Sequence, residues 1–452
     1  MDHLAIISRQ REFFLSGQTA GRDFRRDRLI ALRDAIVHHE DRLLAALHAD
    51  LRKNPQEAYA AEIGYTLGEI HHALKHLGRW MKPRRRKAPW MAWPARAELR
   101  REPFGVALII GPWNYPLQLL LAPLVPAIAA GNTAVLKPSE LAPRTSAAVA
   151  ELIHETFVSE HVAVVEGGRE TSESLLREKF DKIFFTGGTA IGRDVMAAAA
   201  RHLTPVTLEL GGKSPCIVAA DALVDVTARR IVWGKFMNAG QTCVAPDFVL
   251  AHRDIAASLV DAMKAALRDF YGEDPQRSAD YGRIVSRRHF DRLAALADIP
   301  GSDADDLYIP PTILENVSWD SPAMRDEIFG PILPVIEYDD VDEVLGRLRD
   351  MPSPLALYLF TQNAALRGKV LTRTRSGGVC VNDTVTHIIG RDLPFGGVGE
   401  SGMGSYHGRA GFECFSHERS IMCRGFSPDP AFRYPPPKAS LALLKRMMRW
   451  FG

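Results

Sequence analysis

The sequence predicts an α/β protein built on a largely parallel, doubly wound sheet and divided into two principal domains. Two observations carry this. At 452 residues the chain exceeds one ordinary hydrophobic core. From residue 105 onward, short β-rich runs alternate with Ala-rich helical ones, the pattern of strand, crossover helix and parallel strand. Hydrophobic residues make up 46% and charged residues 24%, with a formal net charge of +2, so the composition is that of a globular chain with no electrostatic footprint for nucleic acid.

The elements follow in order. In residues 28–47, Leu29, Leu32, Ile36, Leu43 and Leu47 share one helical face, and residues 60–77 repeat the pattern, so the chain opens helically. The basic run Arg84-Arg85-Arg86-Lys87 lies between Pro83 and Pro89 and reads as a solvated connecting strand. Trp90 and Trp93 pin that connection or meet another subunit. Strands are expected at 105–110, 133–137, 162–166, 183–185 and 206–210. The nearly uncharged stretch 106–136 carries Pro112, Pro116, Pro123 and Pro126, which would spoil a membrane-spanning helix, so it reads as strand, loop and helix inside a core. A second alternating region has strands at 215–218 and 248–251 and a helix at 256–270, placing a domain boundary near 209–212. Glycine is dense over 377–404, and Pro428, Pro430 and Pro435 to Pro437 follow. In the tail, Leu441, Leu444, Met448 and Phe451 share a helical face while Lys445 and Arg449 share another. That amphipathic helix is too short to span a bilayer, which takes roughly 20 residues.

The five cysteines, Cys216, Cys243, Cys380, Cys414 and Cys423, contain no C-x-x-C pair, which suits a reducing compartment. Arg9, Arg11 and Glu12 interrupt the short apolar start, so no export signal is expected. Glu69, His72 and His76 share a helix, but a zinc-protease motif would need Glu where Ala73 stands, and a solvated face is the expectation.

Four segments carry chemistry. Gly240-Gln241-Thr242-Cys243 sets a cysteine in a small, polar, glycine-marked turn, which suits an approachable nucleophile. In Leu208-Glu209-Leu210-Gly211-Gly212-Lys213-Ser214 a carboxylate ends an apolar strand, and burial there would raise its pKa toward that of a general base. Gly212-Lys213-Ser214 imitates the end of a phosphate loop, but Thr207 stands where that motif requires glycine. Gly111-Pro112-Trp113-Asn114-Tyr115-Pro116 fixes a side-chain amide able to donate to an oxyanion. Lys137-Pro138-Ser139-Glu140 and Thr186-Gly187-Gly188-Thr189-Ala190-Ile191-Gly192 follow strands, where a nucleotide could sit, although these glycines do not match G-x-G-x-x-G. Taken singly, each has a plainer reading: a packed cysteine, a carboxylate satisfied by its own turn, a turn asparagine, ordinary loop glycines.

Together, in this order, the segments resemble the aldehyde dehydrogenase superfamily, and most of all its class 3 members. Trp113-Asn114-Tyr115-Pro116, Glu327-Ile328-Phe329-Gly330-Pro331 and the run from Pro394 through Gly404 carry that resemblance, which extends over nearly the whole chain. It implies a Rossmann-type cofactor domain (1–81 and 101–208), an α/β catalytic domain (209–385), a small oligomerisation or bridging element (82–100 and 386–430) and a tail (431–452). It also implies roles. Cys243 attacks an aldehyde, Asn114 and the Cys243 amide hold the oxyanion, and Glu209 activates the water that releases a carboxylic acid. Lys137, Glu140, Gly187, Gly192, Glu327 and Phe329 would hold NAD, with NADP tolerated, and no metal is required. Tyr115 and Trp233 are expected to line the substrate pocket. A cytoplasmic homodimer is expected, its tail helix docked on the dimer or, as the sharper alternative, bordering the substrate entrance or resting on an anionic membrane. Transfer of the acyl group to coenzyme A, and an inactive cofactor-binding relative, are the competing readings. The presence of Glu209 favours water as acceptor.

Overall fold

The computed structural model describes residues 3–89, 92–429, 434–436 and 440–451; Trp90, Pro430, Pro437 and the side chain of Phe451 lie outside them. Helices His3–Leu15, Arg22–His38, Glu40–Leu51 and Gly64–Trp80 open the chain. The expected helix over 28–47 is two helices, because the backbone leaves helical angles at His39 (φ −94°, ψ 10°) and Glu40 and Asp41 supply a fresh acidic N-terminus. The strands then run β1 (Arg84–Arg86), β2 (Ala95–Pro103), β3 (Val106–Ile110), β4 (Thr133–Lys137), β5 (Val162–Val164), β6 (Lys182–Thr186), β7 (Val206–Glu209) and β8 (Pro215–Val218). After these come β9 (Phe248–His252), β10 (Thr312–Leu314), β11 (Ile332–Tyr338), β12 (Ala356–Phe360), β13 (Gly378–Val381), β14 (Gly402–Met403) and β15 (Ser416–Arg424).

They form three sheets. The first has the order β14-β7-β6-β3-β4-β5, with β3 to β7 parallel and β14 added antiparallel at the edge. All five residues of β3 are buried. Ala107 and Ile109 face one core with the helices Gln118–Ala130 and Pro143–Thr156; Val106, Leu108 and Ile110 face another with Ile7, Leu175 and Val195. Burial on both faces is why this strand reads as a continuous apolar run. The second sheet, β10-β11-β9-β8-β12-β13, is entirely parallel and likewise covered on both sides. The third, β1-β2-β15, is antiparallel and rich in arginine.

Pro123 and Pro126 lie inside the helix Gln118–Ala130 without ending it. All thirteen of its residues are buried, so packing on every side holds what the missing amide bonds cannot. The helix stops at Gly131 (φ 96°), where buried Arg25 occupies the space a Cβ would need and donates to the Ala129 carbonyl at 3.2 Å. Among the described residues, no helix is long and apolar enough to cross a membrane.

Candidate active site

The cysteine turn begins where the helix Val224–Phe236 ends. Asn238 (φ 52°), Ala239 (φ 51°) and Gly240 (φ 73°) are successively left-handed, a conformation costing roughly 1–2 kcal/mol at each non-glycine. A Cβ on Gly240 would lie 2.2 Å from the Gly330 carbonyl oxygen. Cross-links hold the turn. Asn238 Nδ2 donates to the carbonyls of Asn114 (2.8 Å) and Gln241 (3.2 Å), and Gln241 Nε2 donates to that of Arg283 (2.9 Å). Gln241 Oε1 accepts from the Val285 amide at 3.0 Å, and Tyr358 donates to the Val244 carbonyl. Cys243 itself is half-buried. Burial first, then the charges of Glu327 and Glu209, push its thiol up to about 12, against the opposing pull of the Cys243 and Val244 amides.

Glu209 ends β7, and its carboxylate oxygens are buried without a hydrogen-bond partner among the described residues. Burial alone holds its pKa well above the ordinary carboxylate range. Asn114, in the loop after β3, is buried and donates from Nδ2 to the Gln241 carbonyl at 2.8 Å, two residues before Cys243. One amide hydrogen is thereby engaged, which fixes the direction of the other. Tyr115 shares a 2.8 Å hydrogen bond with Thr242 and is 6% exposed, so its hydroxyl braces the cysteine turn. Trp233 is 40% exposed on the helix leading to that turn.

The chain lays β3, β4 and β5 to one side, then returns to place β6 and β7 on the other, so the direction of winding switches between β3 and β6. In such sheets the crevice beyond the strand ends at that point receives dinucleotides. Here it is bounded by Gly111-Pro112-Trp113-Asn114 and Thr186-Gly187-Gly188. Among the described residues, Thr186 Oγ1 is buried there without a partner, and a Cβ on Gly188 would meet nothing within 4 Å. Gly188 caps the helix Thr189–Ala200, leaving amide groups open to an anion. Gly192 packs against Leu210, and Gly187 lies over the Phe185 ring. Lys137, buried at the end of β4, donates to its neighbour's carbonyl at 2.5 Å and lies 3.7 Å from the exposed Glu140. Burial lowers its pKa. These groups fit a phosphate- and ribose-bearing cofactor.

Glu327 and Phe329 approach from the second sheet. The Glu327 carboxylate lies across Gly211, where a Cβ would come within 2.2 Å of it, and burial and Asp247 raise its pKa to about 8. Phe329 (φ 50°) meets Trp113 edge-on at 5.3 Å. Their loop is pinned by Asp247, which accepts from the Ile328 amide at 2.9 Å and pairs with Lys213, and by Arg292, which donates to the Ile328 carbonyl at 2.6 Å.

Sequence reasoning missed Asp247, Arg292 and the buried Lys53, because each acts on a segment distant in the chain. Glu69 is a correction. It is 4% exposed, accepts from the Gly408 amide at 3.1 Å and lies 3.5 Å from Arg391, so it ties the helix Gly64–Trp80 to the glycine-rich segment and is not part of a solvated face. His72 and His76 pack in series with Trp80 against Phe412.

A doubly wound sheet whose crevice opens beside a thiol and an unpaired carboxyl group is the architecture of an NAD(P)-linked oxidoreductase. The chain belongs to the aldehyde dehydrogenase family, whose model matches residues 17–421. It is 44% identical to the 4,4'-diaponeurosporen-aldehyde dehydrogenase of Staphylococcus aureus over 97% of each chain. It is 45% identical to the dimeric NADP-preferring aldehyde dehydrogenase of the dog (96% of this chain, 98% of that one) and to the rat family 3 member A2 enzyme (95% and 90%). A substrate-bound structure of Staphylococcus aureus AldH superposes with a TM-score of 0.97 at 43% identity, covering 99% of this chain and all of that one. The protein is an oxidoreductase that converts aldehydes to carboxylic acids.

Proposed function

We propose that Cys243 is the nucleophile, Asn114 the oxyanion donor and Glu209 the base of this oxidation. The observation that carries the reading is the buried, unpartnered Glu209 carboxyl group electrostatically coupled to a half-buried thiol at the mouth of a dinucleotide crevice. The Cys243 thiol gives its proton to solvent, its sulfur bonds to the aldehyde carbon, and the carbonyl π pair moves onto the oxygen, whose negative charge meets the free Asn114 amide hydrogen and the Cys243 amide. NAD(P), held by Lys137, Glu140, Gly187, Gly192, Glu327 and Phe329, supplies the hydride acceptor when bound. Loss of hydride leaves a thioester on Cys243. Glu209 takes a proton from water, hydroxide adds to the thioester carbon, and the C–S bond breaks to give the acid and the thiolate.

The substrates are medium- or long-chain aliphatic or aromatic aldehydes, received beside Tyr115 and Trp233. Water, not coenzyme A, is the acceptor. Glu140 favours NAD, since its carboxylate accepts from ribose hydroxyls and repels a 2′-phosphate. NADP is tolerated because Glu140 is exposed and tethered chiefly to Lys137. The assembly is a cytoplasmic homodimer. The arginine-rich β1-β2-β15 sheet and the 69% exposed Trp93 are its contact surface, and the tail helix docks on the dimer. Purified protein given an aldehyde panel with each cofactor and no thiol acceptor should yield free acid and reduced cofactor in equal amounts, with higher kcat/KM for NAD. Acid formation that required coenzyme A would overturn the choice of acceptor, and higher efficiency with NADP the role of Glu140.

A further inference from the structure

Beneath the cysteine turn lies an ion pair that the reaction does not use. Lys53 and Glu62 are both buried and bonded to each other, Lys53 just before the short helix Pro55–Ala58 and Glu62 in the π-turn Tyr59–Ile63. Burying two charges is costly unless their remaining hydrogen-bonding capacity is used, and here it is used on one target. Lys53 Nζ donates to the Asn114 backbone carbonyl at 2.8 Å and sits 3.9 Å from the Tyr115 ring centroid. Glu62 Oε2 accepts from the Leu117 amide at 2.9 Å and the Gln118 amide at 3.3 Å. The pair therefore grips the segment 114–118 from both ends. Asn238 Nδ2 donates to the same Asn114 carbonyl, while Asn114 Nδ2 donates to the Gln241 carbonyl, closing a ring between the two loops that carry Asn114 and Cys243.

We propose that Lys53 and Glu62 are positioning residues for the oxyanion donor, holding the Asn114 side chain in register with Cys243 through the Asn114 carbonyl. The proposal rests on the roles given to Cys243 and Asn114 above. A charged donor and a neutral amide converge on one carbonyl oxygen, and the left-handed turn 238–240, which would relax if released, is tied to the same atom. Misplacing a catalytic donor by about 1 Å can cost on the order of 100-fold in rate. Lys53 has no side-chain contact with the cofactor crevice among the hydrogen bonds and ion pairs of the described residues, so cofactor affinity should not follow its loss.

A double-mutant cycle tests this. In the full-length enzyme, Lys53→Met combined with Glu62→Gln removes both charges without leaving either one buried alone. Asn238→Gly removes the second donor and keeps a residue at ease with positive φ. Each is made with Asn114 intact and with Asn114→Ala, and the readouts are the burst rate of reduced-cofactor formation and the NAD dissociation constant. The expected result is a loss of about 10- to 100-fold in burst rate with Asn114 present, a change below about threefold once Asn114 is gone, and unchanged NAD affinity. Equal losses on both backgrounds, or no loss in either variant, would overturn the positioning role. If the double variant does not fold, Asn238→Gly decides by the same criterion. A full burst rate in Asn114→Ala alone would instead overturn the oxyanion assignment, and the positioning role with it.

Discussion

At the scale of single residues, the site combines a thiol and a carboxyl group whose pKa values are both raised by burial. Burial raises Cys243 to about 12 and Glu209 well above its ordinary range. Cys243→Ala should abolish oxidation while NAD binding, measured by fluorescence titration, stays within about twofold, because the groups proposed to hold the nucleotide lie on the first sheet and the 327–329 loop. Glu209 ionises only as pH climbs, so thioester hydrolysis should rise with pH. Glu209→Gln should retain a fast burst of reduced cofactor, lose on the order of 100-fold or more in steady turnover, and lose the rising limb of its pH profile. Equal loss of both phases would give Glu209 a different task. The same shift acts on stability. Above the unfolded pKa the unfolded chain releases a proton that folded Glu209 keeps, so stability falls as pH rises, and Glu209→Gln should melt higher than the parent at alkaline pH but not at acid pH. Cys243 and Glu209 were legible as sequence motifs. Lys53 was not, since no motif surrounds it and one of its partners, the Asn114 carbonyl, lies sixty-one positions away.

At the scale of elements, the parallel strands β3 to β9 were legible because two buried faces make an unbroken apolar run, whereas β10 to β13 of the second sheet were not located. β4 and β8 span the expected 133–137 and 215–218, whereas β6 is longer by a residue at each end. The arginine-rich β2 and β15 were not, since their pairing is by backbone across more than three hundred residues and their side chains show no apolar alternation. The Asn114–Gln241 bond explains why Asn114 could be nominated from its rigid loop but not aimed. The turn at 238–240 could be marked by Gly240, yet its three left-handed residues could not, because Asn238 and Ala239 adopt that form only under tertiary constraint. Gly240→Ala therefore measures the element. Its Cβ would meet the Gly330 backbone at 2.2 Å, so urea denaturation should show a loss of about 2–4 kcal/mol and activity should fall at least tenfold. Gly17→Ala is the control: it is left-handed (φ 79°, ψ 3°) but nothing lies within 4 Å, so it should cost only about 1 kcal/mol and leave activity intact. Similar costs at both positions would show that the close approach to Gly330 contributes nothing.

At the scale of the whole molecule, the part least accounted for by the chain's own core is the helix Leu441–Phe451. Leu441 is 66%, Leu444 40% and Met448 53% exposed along one face, with Trp450 78% exposed on the opposite one, so an apolar stripe stands free on a single chain. Lys445, Arg446 and Arg449 stand among those side chains, a combination suited to an anionic surface and equally to a partner subunit. The two occupants differ in what removal does. If the stripe docks on the dimer, deleting residues 440–452 should weaken dimerisation in sedimentation experiments and leave selectivity for aldehyde chain length unchanged. If it borders the substrate entrance or rests on a membrane, the truncated protein should remain dimeric, lose several-fold in kcat/KM for long-chain aldehydes relative to short aromatic ones, and no longer sediment with anionic vesicles that retain the intact protein. A dimeric truncation with unaltered chain-length selectivity, together with an intact protein that ignores those vesicles, would remove both membrane and entrance roles. The stripe would then be left without a function in catalysis.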